Sequence, residues 1–404
     1  MNLLPWPYHV PLATPFWSGA TFRAMVRCLL SGQVIVGPDL AELKSWITQE
    51  LDVQDTILCG SGSFALELAL RSCDVKSGDE VVVPAFCCTS IISPILAVGA
   101  YPVLADVGDD LNLTAATVDP ALSKRTRAII VPHLFGNPVE IDSIIDLTRG
   151  RGIRVIDDAA QALGASLDGR KLGTFGDAGI LSFGNEKVCS GPGGGVFVSR
   201  HREVLERGAE FALAAADSSA ALRSLSSTLI WHRWRRWSVP LHEALSDSTA
   251  TDPQPLPAQY RKESMSNLNA AVASSLMKSL QENLVARRLR VRAYQGLLGN
   301  EHLILVPHRA GSACLTQVIR MMPKYPGHDP ASDLIASLRG AGFEVQGSYF
   351  PIHLLAPYRQ LAVRSFPHSE RIWMDLIELP CEPDVSLEHV ERIASIVKQT
   401  ISCS

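Results

Sequence analysis

The sequence predicts an α/β fold, with a large domain on a mostly parallel sheet followed by a smaller C-terminal α+β domain. Three observations carry this. Between residues 50 and 200, short β-rich runs alternate with helical runs, the pattern of successive βαβ units. The stretch from Val81 to Ala105 contains no charged residue, as strands covered on both faces require. After a Pro-rich segment, Thr249 to Pro257, the texture changes to long helical patterns with isolated strands.

Taken in order, strands are expected at Thr56–Leu58, Val81–Val83, Val103–Ala105, Ala128–Val131, Arg154–Ile156, Gly179–Ser182 and Gly195–Val198. Helices are expected over Ser63–Arg71, Thr89–Val98 and Ile141–Arg149. The uncharged run is long enough to span a membrane. Pro84, Pro94, Gly99 and Pro102 punctuate it, so it reads as strand, helix and strand. Further on, 201–245 reads as helical and Leu268 to Leu298 as one long helical pattern. Strands at Leu303–Val306 and Gln317–Met322 and helices at Ala331–Ala341 and Leu387–Thr400 complete the chain. The expected division is residues 1–250 for the large domain and 251–404 for the small one.

Composition narrows the function. Of 404 residues, 47% are hydrophobic and 19% charged, below the ~25% charged residues usual for soluble domains. This excludes disorder and coiled coil as the main architecture. Lys plus Arg number 37 against 41 Asp plus Glu, a net charge of −4. That balance lacks the basic footprint of a nucleic-acid binder and points to a protein of small molecules. The nine cysteines are scattered with no CxxC pair, so a disulfide framework or zinc site is not expected. With no basic leader ahead of an apolar core at the N-terminus, the expectation is a cytoplasmic protein with no membrane partner.

Three motifs carry chemistry. Gly60-Ser61-Gly62-Ser63-Phe64-Ala65 joins a strand to a helix. It reads either as an anion cradle, with backbone N–H groups, the Ser63 hydroxyl and the helix dipole, or as a plain turn. A dinucleotide site is disfavoured, because Asp79 and Glu80 precede the next strand instead of ending it. Val155-Ile156-Asp157-Asp158-Ala159-Ala160-Gln161 puts two acids at the carboxyl end of an apolar strand, where open α/β sheets place ligands. One acid could pair with a cationic ring nitrogen, both could bind a metal, or one could cap a helix. Leu181-Ser182-Phe183-Gly184-Asn185-Glu186-Lys187, followed by a glycine-rich turn, offers either a Schiff-base lysine or an exposed one. Taken together, an anion cradle, a carboxylate and a lysine at strand ends are the protein parts of a pyridoxal 5′-phosphate site.

These residues resemble the DegT/DnrJ/EryC1/StrS family, fold-type I pyridoxal-phosphate enzymes that are mostly nucleotide-sugar aminotransferases. The match rests on Ser61 to Leu66, Gly78-Asp79-Glu80-Val81, Asp158-Ala159-Ala160-Gln161 and Ser182-Phe183 followed by Lys187. His133 to Gly136, Arg287-Arg288 and Pro351-Ile352-His353 add weaker marks. The resemblance implies roles for individual residues. Lys187 would be the Schiff-base lysine and proton shuttle, and Asp158 the partner of the pyridinium nitrogen. Gln161 would meet the ring hydroxyl and Ala160 one ring face, while Gly62, Ser63 and Ser182 would hold the phosphate. His353 would lie toward substrate. It also implies a homodimer with shared active sites. Departures occur where Cys88 replaces an aromatic stacking residue, a task Phe86 could take over, and at Lys262, which replaces an Asn that reaches the partner subunit's phosphate. The family's Arg near Ser264 is missing, and Gly193 stands where a Glu is common.

The expected function is amino transfer from an amino acid donor, glutamate or glutamine, to the keto group of a nucleotide-linked sugar. The alternatives are another pyridoxal-phosphate reaction (dehydration, aldol-type cleavage or coupling) on a specialised, non-sugar metabolite, and a non-catalytic regulatory protein. Trp231, Trp234 and Trp237, interleaved with Arg233, Arg235 and Arg236, read as a packed helix stripe, a nucleotide contact or a membrane-surface helix.

Overall fold

The computed structural model describes residues 8–216, 221–229, 260, 262–299, 303–322 and 329–403. The Trp231–Trp237 stripe, the Pro-rich segment and the expected boundary at residue 250 lie outside these residues.

All seven expected strands of the first half form one sheet. They are β1 (Thr56–Cys59), β2 (Glu80–Pro84), β3 (Tyr101–Ala105), β4 (Thr126–Pro132), β5 (Arg154–Asp158), β8 (Ala178–Ser182) and β9 (Gly195–Val198), with a small ribbon of β6 (Ser166–Leu167) and β7 (Arg170–Lys171) between β5 and β8. Their spatial order is β1-β9-β8-β5-β4-β2-β3. The pairs from β3 through β8 are parallel, and only β9 runs against its neighbours. Alternation along each strand covers both faces. Val82, Ile129 and Val155 join one core, and Val81, Val83, Ile130 and Ile156 join the other.

Helices supply the two covers. α1 (Gly19–Leu30) and α2 (Asp39–Leu51) lie on the first face, with the short α5 (Ala115–Val118) and α6 (Ile141–Thr148). α3 (Gly62–Ser72) and α4 (Ile92–Ala97) lie on the second. α3 begins where it does because Ser61 caps it: the Phe64 N–H donates to Ser61 Oγ at 3.1 Å. The uncharged run resolves into β2, one 3-10 turn, α4 and β3, and among the described residues no helix is long and apolar enough to cross a membrane.

The second half starts with α7 (Arg202–Ala212) and a helical turn pair over 221–229, here α8. The single helical pattern expected over Leu268 to Leu298 is two helices, α9 (Asn267–Lys278) and α10 (Leu280–Leu297). The break falls at Ser279, whose N–H and Oγ both return to Leu276 O, at 3.1 and 3.2 Å, closing α9 early. α9 packs its apolar residues on α1 and α2, in the same core as the large sheet. β10 (Leu303–Leu305), β11 (Gln317–Met321) and β12 (Leu376–Leu379) form a separate antiparallel sheet. α10, α11 (Pro330–Gly340) and α13 (Leu387–Cys403) share its core, and the short α12 (Pro367–Ile372) precedes β12. Val10, ahead of the large sheet in sequence, forms an isolated parallel bridge with Phe343 and packs in the core of the second sheet.

A buried chain of polar groups links the two units. Arg287 on α10 pairs with Glu382, donates to Leu315 O at 2.9 Å and donates to Asn283 Oδ1 at 2.7 Å. Asn283 Nδ2 in turn donates to Val188 O at 3.0 Å.

Candidate active site

The carboxyl ends of β4, β5 and β8 and the N-terminus of α3 surround a cavity of about 250 Å³. Gly62, Ser63, Cys88, Asp158, Ala160, Gln161, Ser182 and Lys187 all line it. Residues 125 apart in sequence thus meet because each ends a strand or begins a helix at the same sheet edge.

The first wall is the turn before α3. A Cβ on Gly62 would sit 3.1 Å from Ser182 Oγ, so glycine is what lets this backbone approach the end of β8. The turn is held from both sides. Ser61 bridges Gly194, which adopts a left-handed φ of 127°, and Gly60 N–H donates to Glu263 O at 2.7 Å. The result is a helix N-terminus with two serine hydroxyls beside it, the chemistry of a phosphate cradle.

The second wall separates the two acids. Adjacent strand residues point to opposite faces. Asp157, fully buried, accepts from Gly173 N at 2.8 Å and Phe175 N at 2.9 Å, and its other oxygen meets His133 Nε2 at 2.7 Å. Val139 N–H donates to His133 Nδ1 at 2.9 Å, so that nitrogen is an acceptor and the proton sits on Nε2, facing Asp157. Asp157 is therefore spent on structure. Asp158 turns to the cavity. Its Oδ1 accepts from Ala160 N at 2.9 Å, and its Oδ2 has no hydrogen bond among the described residues. Burial pushes its carboxyl above the usual range, against the Ala160 N–H and the charge of Lys187, which pull it down.

The third wall is the loop after β8. Glu186 takes a left-handed φ of 62°, turning the chain so that the half-buried Lys187 lines the cavity. Lys187 Nζ makes no hydrogen bond or ion pair among the described residues. The loop behind it is pinned, by Asn283 at Val188 O and by Trp17 Nε1, which donates to Ser190 O at 2.8 Å.

Three expected site residues stand elsewhere. Phe86 does not line the cavity; its fully buried ring packs edge-on against Tyr349, with centroids 5.9 Å apart. After β2 it is Cys88 that lines the cavity, its Sγ 3.1 Å from Ser90 Oγ. Lys262 donates to Glu67 Oε1 at 2.8 Å and does not line the cavity. Glu67, buried on α3, also binds Arg71 and the Tyr260 hydroxyl, and those donors hold its carboxyl below the usual range against its burial. His353 is buried with Nε2 3.0 Å from Glu370 Oε1, off the cavity wall. Tyr349 and Asn283, which brace Gln161 and the Lys187 loop, had no local sequence signal, since each acts across more than 90 residues.

The sequence profile of the DegT/DnrJ/EryC1/StrS aminotransferase family matches residues 18–398. The chain belongs to this family. GDP-perosamine synthase of Vibrio cholerae is 26% identical over 401 residues, spanning 98% of this chain and all of that protein. A UDP-N-acetyl-3-dehydro-alpha-D-glucosamine 3-aminotransferase of Acidithiobacillus ferrooxidans is 29% identical over 378 residues, 93% of this chain and 92% of that one. The crystal structure of the aminotransferase TlmJ from Streptoalloteichus hindustanus superposes with a TM-score of 0.79 at 25% identity, covering 98% and 99% of the two chains. The protein is thus a fold-type I, pyridoxal-phosphate-dependent aminotransferase of the DegT/DnrJ/EryC1/StrS type. The cavity fits that cofactor on its own terms. It presents an anion cradle that a Cβ at Gly62 would narrow and, among the described residues, a buried carboxylate with one oxygen unpartnered and a lysine with no ion pair.

Proposed function

We propose that this family member moves an amino group from glutamate or glutamine to the keto group of a nucleotide-linked sugar. The observation that carries the reading is the meeting of Lys187 and Asp158 at one cavity, with the Gly62–Ser63 turn and Ser182 in the same wall. In it, Gly62, Ser63 and Ser182 hold the cofactor's phosphate, Asp158 its ring nitrogen, Gln161 its ring hydroxyl, and Ala160 and Cys88 its faces. When bound, pyridoxal phosphate supplies an electron sink for breaking a bond at the carbon that bears the amine. The protein does the rest. Asp158 Oδ2 keeps a proton on the ring nitrogen, and Lys187 Nζ attaches the cofactor and carries a proton between carbons. Retention of both groups supports catalysis over a purely regulatory role, and the lysine supports amino transfer over dehydration.

The same reading includes a homodimer with shared sites, in a reducing, cytoplasmic setting. Eight described cysteines are free, which supports the latter. A cross-subunit role for Lys262 requires it to leave Glu67, and His353 acts on substrate only from behind the cavity wall.

The test is a half-reaction. Glutamate added alone to the holoenzyme should discharge the visible band of the bound cofactor and release 2-oxoglutarate, and a keto sugar nucleotide added next should restore it. A band unmoved by glutamate and by glutamine would remove the proposal.

Asp158 gives a second expectation. Asp158→Asn keeps the hydrogen bond from Ala160 but cannot hold a proton on the ring nitrogen, so kcat should fall roughly a hundredfold or more. The cofactor-free variant should be more stable than wild type, because a carboxylate that burial disfavours has gone. The folded value of Asp158 is raised, so its cost is absent at low pH, where it is protonated folded and unfolded, and grows as pH rises through that value. The stability gain of the variant should therefore appear only above the ordinary carboxylate range. Denaturant melts across pH measure this, and a gain independent of pH would contradict it.

A further inference from the structure

The proposed contact between Gln161 and the cofactor depends on which end of the amide faces the cavity, and the surroundings settle that. Phe135 N–H donates to Gln161 Oε1 at 2.9 Å, so the oxygen end is fixed toward the turn after β4. Gln161 Nε2 must then face the other way, where it donates to the Tyr349 hydroxyl oxygen at 2.8 Å. The second hydrogen on Nε2 has no acceptor among the described residues, and Gln161 lines the cavity.

Both braces are built. Phe135 adopts φ 58°, ψ 18°, a left-handed conformation that a bulky L-residue rarely takes, and Gly136 follows at φ 76°. Leu315 N donates to Phe135 O at 3.0 Å and Ala313 N to Gly136 O at 2.9 Å, so the turn is locked from the far half of the chain. The strained turn keeps the Phe135 N–H aimed at Gln161 and lays its ring 6.0 Å from that of Tyr349, 29° from parallel. Phe86 meets Tyr349 from another side, edge-on at 5.9 Å. The Tyr349 ring is thus fixed by two aromatics, and its hydroxyl has one defined acceptor task.

We propose that Tyr349 is a positioning residue that, with the strained Phe135 turn, makes Gln161 an obligate hydrogen-bond donor into the cavity, selecting an anionic oxygen on the bound ring. Burial pushes the Tyr349 hydroxyl well above its ordinary value, so it stays neutral and can accept from Gln161. The inference rests on the cofactor reading above and adds a residue to it.

Tyr349→Phe keeps the ring packing and removes only the acceptor. In the expected result the variant's pyridoxal-phosphate dissociation constant rises roughly three- to tenfold, the scale of one hydrogen bond. The absorbance maximum of the bound cofactor shifts, and kcat falls while KM for the acceptor is unchanged. The thermal midpoint of the cofactor-free protein stays close to wild type. Because Tyr349 acts through Gln161, Tyr349→Phe should add nothing to cofactor affinity in a Gln161→Ala background. An unshifted spectrum with unchanged affinity, or a full Tyr349→Phe effect without Gln161, overturns the inference while leaving the cofactor reading intact. Failure of the wild-type protein to bind pyridoxal phosphate would sink that reading instead.

Discussion

Lys187→Ala should abolish turnover, with a loss in kcat on the order of 10⁴ or more, the scale found when a covalent group is removed from an active site. No neighbour can substitute. The serine hydroxyls and the thiols of Cys87 and Cys88 on the cavity wall offer no amine, and His133, also on the wall, is held between Asp157 and the Val139 N–H. The fold should not notice the change. Lys187 is half-buried and makes no hydrogen bond or ion pair among the described residues, so stability should move by no more than ~0.5 kcal/mol. Lys187→Arg should be as inactive as Lys187→Ala, because a guanidinium stays protonated at any working pH and cannot be a nucleophile. Activity assays beside thermal melts test both halves of the expectation. A Lys187→Ala enzyme that turned over at wild-type rate would end the mechanism.

Lys187 was legible because its signal is local: a buried strand, a glycine-rich turn and one lysine between them. The same holds for Ser63 at a strand–helix junction and for Asp158 at the end of an apolar strand. Strand alternation even separates Asp158 from Asp157, since the two must face opposite ways. What was not legible depends on partners far along the chain. Phe86 looked available as a stacking ring, but the turn after β2 sends it into the core against Tyr349, more than 260 residues on. Lys262 reads as a cation that replaces the Asn at the partner subunit's phosphate, but it pairs with Glu67. The clue to its partner was Glu67, an acid within the apolar run Ala65 to Leu70, which once buried must find cations. The break at Ser279 was hidden because both α9 and α10 keep a helical period, and one side chain bonding back to its own helix decides where the first ends. β12 was missed because Leu376–Leu379 is short and pairs with β11 far upstream, so no alternation long enough to read announces it. The large sheet could be read because its βαβ units are consecutive, and the small one less so because its strands are scattered among helices.

Arg287→Met should be the most destabilising single change considered, at about 3–5 kcal/mol near pH 8, the usual result of stripping one partner from a buried ion pair. Arg287 and Glu382 are 1% and 3% exposed, so removing the cation leaves a carboxylate with neither water nor counter-charge. Burial already pushes Glu382 up to about 7 with Arg287 in place. Its folded value is above its unfolded one, so its contribution favours folding at low pH and is lost as pH rises through the folded value. Without Arg287 that value must rise further, and Glu382 will stay protonated over a wider range. The loss should therefore be smaller at pH 5.5 than at pH 8. Arg287→Met combined with Glu382→Met should recover much of the stability, since two apolar side chains can replace a buried pair at little cost. The pair also reaches the active site. Arg287 Nε fixes the Asn283 amide, and that amide holds Val188 O beside Lys187. The double variant should fold yet show a lower kcat than wild type, because Asn283 has lost the group that orients it and the Lys187 loop has lost part of its anchor. Denaturant melts at the two pH values, followed by kcat on the refolded double variant, separate the stabilising role from the positioning one. Equal losses at both pH values would refute the titration argument, and a double variant with wild-type kcat would confine Arg287 to stability.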